Sequence, residues 1–130
     1  MAERPLSPHF TVYRWGYTMT LSILHRATGV ALSVVLIGFV LWLIGLSRGE
    51  SAYAALLPLM QSVPVRVLIV LAVIALIYHF CNGLRHLAWD LGFGFERREA
   101  RGSGLIVVVA TVIASAVCAY FVLRAGAGSP

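Results

Sequence analysis

Three apolar runs constrain this chain more than anything else in it. They cover about residues 23–46, 65–91 and 105–123, and each is long enough to cross roughly 30 Å of hydrocarbon at about 1.5 Å per residue. Lipid offers no hydrogen-bond partner to an exposed backbone, so each run is expected to close its own bonds as a helix. The fold expected is therefore an all-α membrane protein with three transmembrane helices in one membrane domain spanning 1–130. With 60% hydrophobic and only 12% charged residues, a soluble domain of 130 residues is not a realistic alternative.

The charges follow the same logic. All ten basic residues are arginine, and the formal net charge is +5. Seven of them (Arg4, Arg14, Arg26, Arg85, Arg97, Arg98, Arg101) fall on the N-terminal side or near the second loop, and three (Arg48, Arg66, Arg124) fall near the opposite face. By the positive-inside rule, the N-terminus and the second loop are expected in the cytoplasm. The basicity thus reads as membrane topology, and no nucleic-acid partner is expected. Cys81 and Cys118 both lie within spans, which argues against a structural disulfide. The first apolar run follows 22 mostly polar or aromatic residues and exceeds the length of a signal-peptide core, so a retained span is expected. Residues 1–21, rich in Pro and aromatics, suit an interfacial segment at headgroup level.

The polar residues inside the spans are few and clustered. In the second span, His79, Gly83, His86 and Asp90 fall at about 0°, 40°, −20° and 20° on a helical wheel, one narrow stripe, with Arg85 off it. In the first span, relative to Ser22, Arg26 falls at about 40°, Gly29 at −20°, Ser33 at 20° and His25 at −60°. Ionisable groups at membrane depth are expensive and point to function, although a lone arginine could simply snorkel to the headgroups. The two stripes lie at similar depth, His79 being the deeper point. A buried imidazole suits a haem iron, a proton relay, a substrate site or mere helix packing. Gly83, one turn from His79, leaves space for a flat macrocycle, and His25, Arg26 and His86 could meet its propionates. Ser22 and Arg26, with Trp15 and Met19 nearby, would suit a quinone. Phosphate loops, zinc-protease motifs and nucleophile elbows are absent from the sequence. In the third span, Ala110, Ala114 and Cys118 fall four apart, a pattern of helix packing. The first loop carries an apolar middle, Ala52 to Met60, expected as a surface helix broken at Pro58.

Two motifs carry a resemblance to a known family. Arg4-Pro5-Leu6 followed by Ser22-Ile23-Leu24-His25-Arg26-Ala27-Thr28-Gly29, and His79-x-x-x-Gly83-Leu84-Arg85-His86-Leu87-x-Trp89-Asp90, make the chain similar to the cytochrome b membrane-anchor subunit of succinate dehydrogenase, respiratory complex II. The resemblance implies half of a heterodimeric helical bundle that binds haem b and ubiquinone. A second small membrane-anchor subunit would supply the other haem ligand, with an iron-sulfur subunit and a flavoprotein subunit held at the membrane surface. Carried over by position, it implies His79 as axial haem ligand, His25, Arg26 and His86 on the propionate side, and Gly83 in haem packing. It further implies Ser22, Arg26, Ile23, Trp15 and Met19 at the quinone. This chain would oxidise no succinate itself. A bacterial inner membrane is the expected location, with the mitochondrial inner membrane as the alternative. The alternatives are a haem-free structural anchor, a fumarate reductase anchor and, further off, a small proton-relay transporter.

Overall fold

The computed structural model describes residues 15–127. The segment 1–14, with the Arg4-Pro5-Leu6 motif and most of the expected interfacial stretch, lies outside the described residues. Four helices follow one another: α1 (Tyr17–Ser47), α2 (Glu50–Gln61), α3 (Val63–Asp90) and α4 (Arg97–Ala127). Three of them, over Tyr17–Ser47, Val63–Asp90 and Arg97–Phe121, are long and apolar enough to cross a membrane. At 31 residues α1 is roughly 46 Å long and overruns a hydrocarbon core of about 30 Å. Its first turns, with Ser22 and His25, are thereby left near one end of the bundle.

The connections set an up-down-up arrangement. Gly49, at φ 96°, lets the chain turn from α1 into α2. The helix α2 packs back on α1, where the Leu56 side chain sits so close to Gly45 that a Cβ there would have no room. It continues through Pro58 to Gln61 rather than breaking at the proline. Only one turn follows Pro58, so the ring forfeits a single backbone bond and the helix ends where it would have frayed. Gly92 and Gly94, at φ 89° and 81°, make the turn between α3 and α4, and Trp89 Nε1 donates to the Gly94 carbonyl at 3.0 Å to pin it.

The central helix is α3, packed against both α1 and α4. Among the described residues the buried apolar side chains are Leu21 and Val107, while Val30, Val34, Leu36, Ile37, Leu68 and many like them face outward. This inversion fits hydrocarbon as solvent, because burying leucine against leucine gains little over leaving it in lipid. Close approach comes from small residues instead. Gly104 lies where a Cβ would stand 2.8 Å from Leu21 Cδ1 and 2.9 Å from Tyr17 Cε1, so it sets the α1–α4 crossing. The packed face of α4 runs through Gly104, Val107 and Thr111. Ala110 and Ala114 only flank it and Cys118 is exposed, a correction to the face expected from the four-residue spacing. Both cysteines are free, as their positions in the spans required.

Candidate functional site: an imidazole face between α1 and α3

The stripe on α3 faces α1, and the two helices meet through imidazoles. His25 stacks on His79 with ring centroids 4.0 Å apart and planes 14° from parallel. His86 approaches the other side of this group, 5.0 Å from His25 and tilted by 33°. Trp89 closes the row edge-on to His86 at 5.1 Å. Nearly parallel rings cannot aim their lone pairs at one ion, and among the described residues no group of three or more His, Cys, Asp or Glu could hold a bare metal.

His79 itself is held in one tautomer. Its Nδ1 lies 3.1 Å from the His25 carbonyl and 3.2 Å from Thr28 Oγ1. A backbone carbonyl can only accept, so Nδ1 carries the proton and Nε2 keeps a free lone pair. The Thr28 hydroxyl meanwhile donates back to the Leu24 carbonyl at 2.8 Å. Beside the ring, a Cβ on Gly29 would fall 3.0 Å from His79 Cε1 and 3.9 Å from Nε2. Gly29 is therefore the glycine that makes room for His79. Gly83 lies one turn along, against His25, where an added Cβ would meet Cε1 at an ordinary 3.6 Å.

Two further nitrogens, His25 Nδ1 and His86 Nε2, are enclosed with no hydrogen-bond partner among the described residues. Enclosed polar atoms are rarely left without one, so these two stand out as unsatisfied groups of the imidazole face. Arg26, Arg85 and Asp90 all lie within electrostatic range of His86.

The remaining residues expected at the site line the first turns of α1. Trp15 is exposed and donates Nε1 to Thr20 Oγ1 at 2.7 Å, folding over the helix start. Met19 and Ser22 are half-buried, and Ile23 and Arg26 are exposed on the following turn. Ser22 and Arg26 make no hydrogen bond among the described residues, so both side chains are open to a ligand. Ser33, expected on the same face, points outward and bonds the Gly29 carbonyl at 2.9 Å.

A second polar group on α3 escaped the sequence reading. Asn82 is 0% exposed and Arg85 5%, both inside the bundle. Arg85 donates from Nε to Ser103 Oγ at 3.0 Å, from one terminal nitrogen to the Ala100 carbonyl at 3.0 Å and from the other to Asn82 Oδ1 at 3.4 Å. Its guanidinium carbon lies 4.0 Å from the centre of the Trp89 ring. Asn82 Nδ2 in turn donates to the Leu21 carbonyl at 3.3 Å, and the Tyr78 hydroxyl donates to that same carbonyl at 2.6 Å. A signal was present: relative to His79, the residues Tyr78, Asn82, Arg85 and Trp89 fall at about −100°, −60°, −120° and −80°, a second narrow stripe. One helix thus carries an imidazole face toward α1 and an amide-guanidinium face toward the seam with α4.

Fold and site together define a multi-pass helical membrane protein with a histidine-lined face near one end of its spans. Residues 1–118 match the family model described as succinate dehydrogenase/fumarate reductase transmembrane subunit. The chain is 44% identical over 111 residues to the succinate dehydrogenase cytochrome b556 subunit of Rickettsia typhi, covering 85% of this chain and 86% of the relative. It is 41% identical over 118 residues to the mitochondrial cytochrome b560 subunit of Sus scrofa, covering 88% and 69%, and 39% identical over 116 residues to that of Homo sapiens. The chain belongs to the succinate dehydrogenase/fumarate reductase transmembrane subunit family, on the side of its cytochrome b subunits.

Proposed function

We propose that this chain is the haem b- and ubiquinone-binding membrane anchor of a succinate:ubiquinone oxidoreductase, with His79 Nε2 as one axial ligand of the haem iron. The observation that carries the reading is the bond from His79 Nδ1 to the His25 carbonyl. Histidine ligands characteristically donate the second nitrogen to a carbonyl or carboxylate, which fixes the ring and raises the basicity of the ligating nitrogen. Gly29, having no side chain, lets the Cε1 edge of the His79 ring pack against α1 and so helps to fix the orientation of Nε2.

The rest of the face supports the same assignment. His25 Nδ1 and His86 Nε2, without a partner among the described residues, would meet the carboxylates of a haem once a rotation of their rings brings them out, with Arg26 within electrostatic range of His86 to balance the charge. Gly83 gives the His25 ring a flat wall. When bound, haem b supplies one-electron storage between the iron-sulfur clusters of the complex and the quinone. Toward the quinone, Ser22 offers a hydroxyl and Arg26 a charged donor to a carbonyl oxygen, with Ile23, Trp15 and Met19 as apolar walls.

The second small anchor subunit contributes the other axial ligand and completes a heterodimeric bundle, while the iron-sulfur and flavoprotein subunits sit over the end that carries Ser22 and the α3–α4 loop. The arginine distribution supports a cytoplasmic location for that end in a bacterial inner membrane. In the purified complex, His79→Ala is expected to abolish or shift the b-type haem spectrum. Ser22→Ala is expected to depress quinone reduction with most of the haem retained. An unaltered haem spectrum in His79→Ala would refute the ligand assignment.

A further inference from the structure

The Leu21 carbonyl is an unusual acceptor. In α-helical register it serves the backbone N–H of residue 25, yet it also accepts from the Tyr78 hydroxyl at 2.6 Å and from Asn82 Nδ2 at 3.3 Å. Both donors come from α3, and Asn82 is itself held by Arg85, which bonds Ala100 and Ser103 of α4. All the partners of Arg85 among the described residues are neutral, so its charge is spread over a hydroxyl, a carbonyl, an amide and an aromatic face and fixes no carboxylate. The result is a chain of side chains from the first turn of α4, through α3, to one peptide group in α1.

That peptide group directly precedes Ser22, and Arg26 follows about 6 Å further along the helix. Among the described residues Ser22 and Arg26 make no hydrogen bond of their own. The nearest other polar tie between α1 and α3 is the His79 contact with His25 and Thr28, one to two turns deeper. The height and rotation of the outermost turns of α1 are therefore set by the Leu21 carbonyl together with the packing of Tyr17 and Leu21 on Gly104.

We propose that Tyr78 and Asn82 are positioning residues for the quinone end of α1, acting through the Leu21 carbonyl and braced on α4 by Arg85. The inference rests on the assignment of Ser22 and Arg26 to the quinone. It separates two functions on the two faces of α3: the imidazole face serves the haem position, and the amide face sets the geometry of the quinone position without touching quinone.

The test uses the intact detergent-solubilised complex carrying Tyr78→Phe, Asn82→Asp or Asn82→Ala, with Ser22→Ala as reference. Tyr78→Phe removes one hydroxyl and no volume. Asn82→Asp keeps an acceptor for Arg85 but loses the donor to Leu21. Each complex is assayed for the KM and kcat of a short-chain ubiquinone, and for its Kd without succinate by quenching of tryptophan fluorescence. Haem content and succinate oxidation by a soluble dye are measured alongside. A shift of about an ångström at a positioned group can lower efficiency up to roughly a hundredfold, so KM and Kd are expected to rise about tenfold in Asn82→Asp and Asn82→Ala, and less in Tyr78→Phe. Haem content and dye reduction are expected to hold. Should Asn82→Ala fail to assemble, Tyr78→Phe and Asn82→Asp decide. If Ser22→Ala raises KM while Tyr78→Phe and Asn82→Asp leave both KM and Kd unchanged, the positioning role is wrong. If Ser22→Ala itself has no effect, the quinone assignment fails and this inference with it.

Discussion

Substitution of Gly29 tests the geometry around His79 more sharply than removal of the histidine, because it leaves every polar group in place. A Cβ at this position would stand 3.0 Å from His79 Cε1, whereas carbons rest at about 3.5–4.0 Å, so the ring must yield by roughly half an ångström. The backbone of two packed helices resists such a shift, and the ring is the movable part. If it moves away from Gly29, the 3.1 Å bond from Nδ1 to the His25 carbonyl stretches to about 3.6 Å, where it no longer counts as a hydrogen bond. The loss is about 1 kcal/mol for the bond itself, and partners that orient a metal ligand are commonly worth about 10–100-fold in affinity. Gly29→Ala is thus expected to weaken haem retention and Gly29→Val, with two more carbons against the ring, to abolish it. The assay is the haem-to-protein ratio of purified complex challenged with apomyoglobin as haem acceptor. Gly38 provides the control on the same helix: nothing lies within 4 Å of a Cβ there, so Gly38→Ala should be neutral or gain up to about 1 kcal/mol from helix propensity. Retention and spectrum unchanged in Gly29→Val would show that His79 does not depend on this contact.

Other substitutions separate the two faces of α3. Arg85→Met deprives Ser103 and Ala100 of α4, and Asn82 of its own helix, of their donor; with two interhelical bonds at about 0.6–1.7 kcal/mol each, the loss is about 1–3 kcal/mol, read as a lower unfolding temperature in detergent. Gly104→Ala forces Leu21 and Tyr17 aside and should destabilise by about 1–3 kcal/mol, whereas Gly102→Ala meets nothing and should not; thermal unfolding compares the pair. Thr28→Val removes one of the two acceptors at His79 Nδ1 but not the carbonyl. The haem is expected to stay, with its midpoint potential moved positive as the imidazole becomes a weaker donor, a shift that redox titration of the α band would detect.

The outline of the fold was legible because a membrane leaves few choices. Any run of some twenty apolar residues must become a helix, and the three long helices coincide with the three runs, only Leu91 falling just past the end of α3. The facing of the two stripes was legible as well: His79 and His86 do meet His25, as their shared stripe required. The sequence could not tell which glycine adjoins which ring. Gly83 lies on the same helix as His79 and Gly29 on the opposite one, and only the α1–α3 crossing brings Gly29 to 3.0 Å from it. Arg85 was set aside because it left the stripe, when leaving it marked a second face shared with Tyr78, Asn82 and Trp89. The α4 packing face was misplaced for a related reason. Spacing by four identifies small residues that could pack, but Gly104 fixes the crossing, and the face that follows from it is Val107 and Thr111.

The central claim, that His79 offers Nε2 to haem iron while its Nδ1 is held by the backbone of α1, is tested most directly by a structure of the intact complex at a resolution that shows side chains. Iron is expected bonded to His79 Nε2, with Nδ1 still within hydrogen-bond distance of the His25 carbonyl and Gly29 against the Cε1 edge of the ring. A haem ligated by another residue of this chain, or a His79 ring packed away from an iron-containing site, would contradict it.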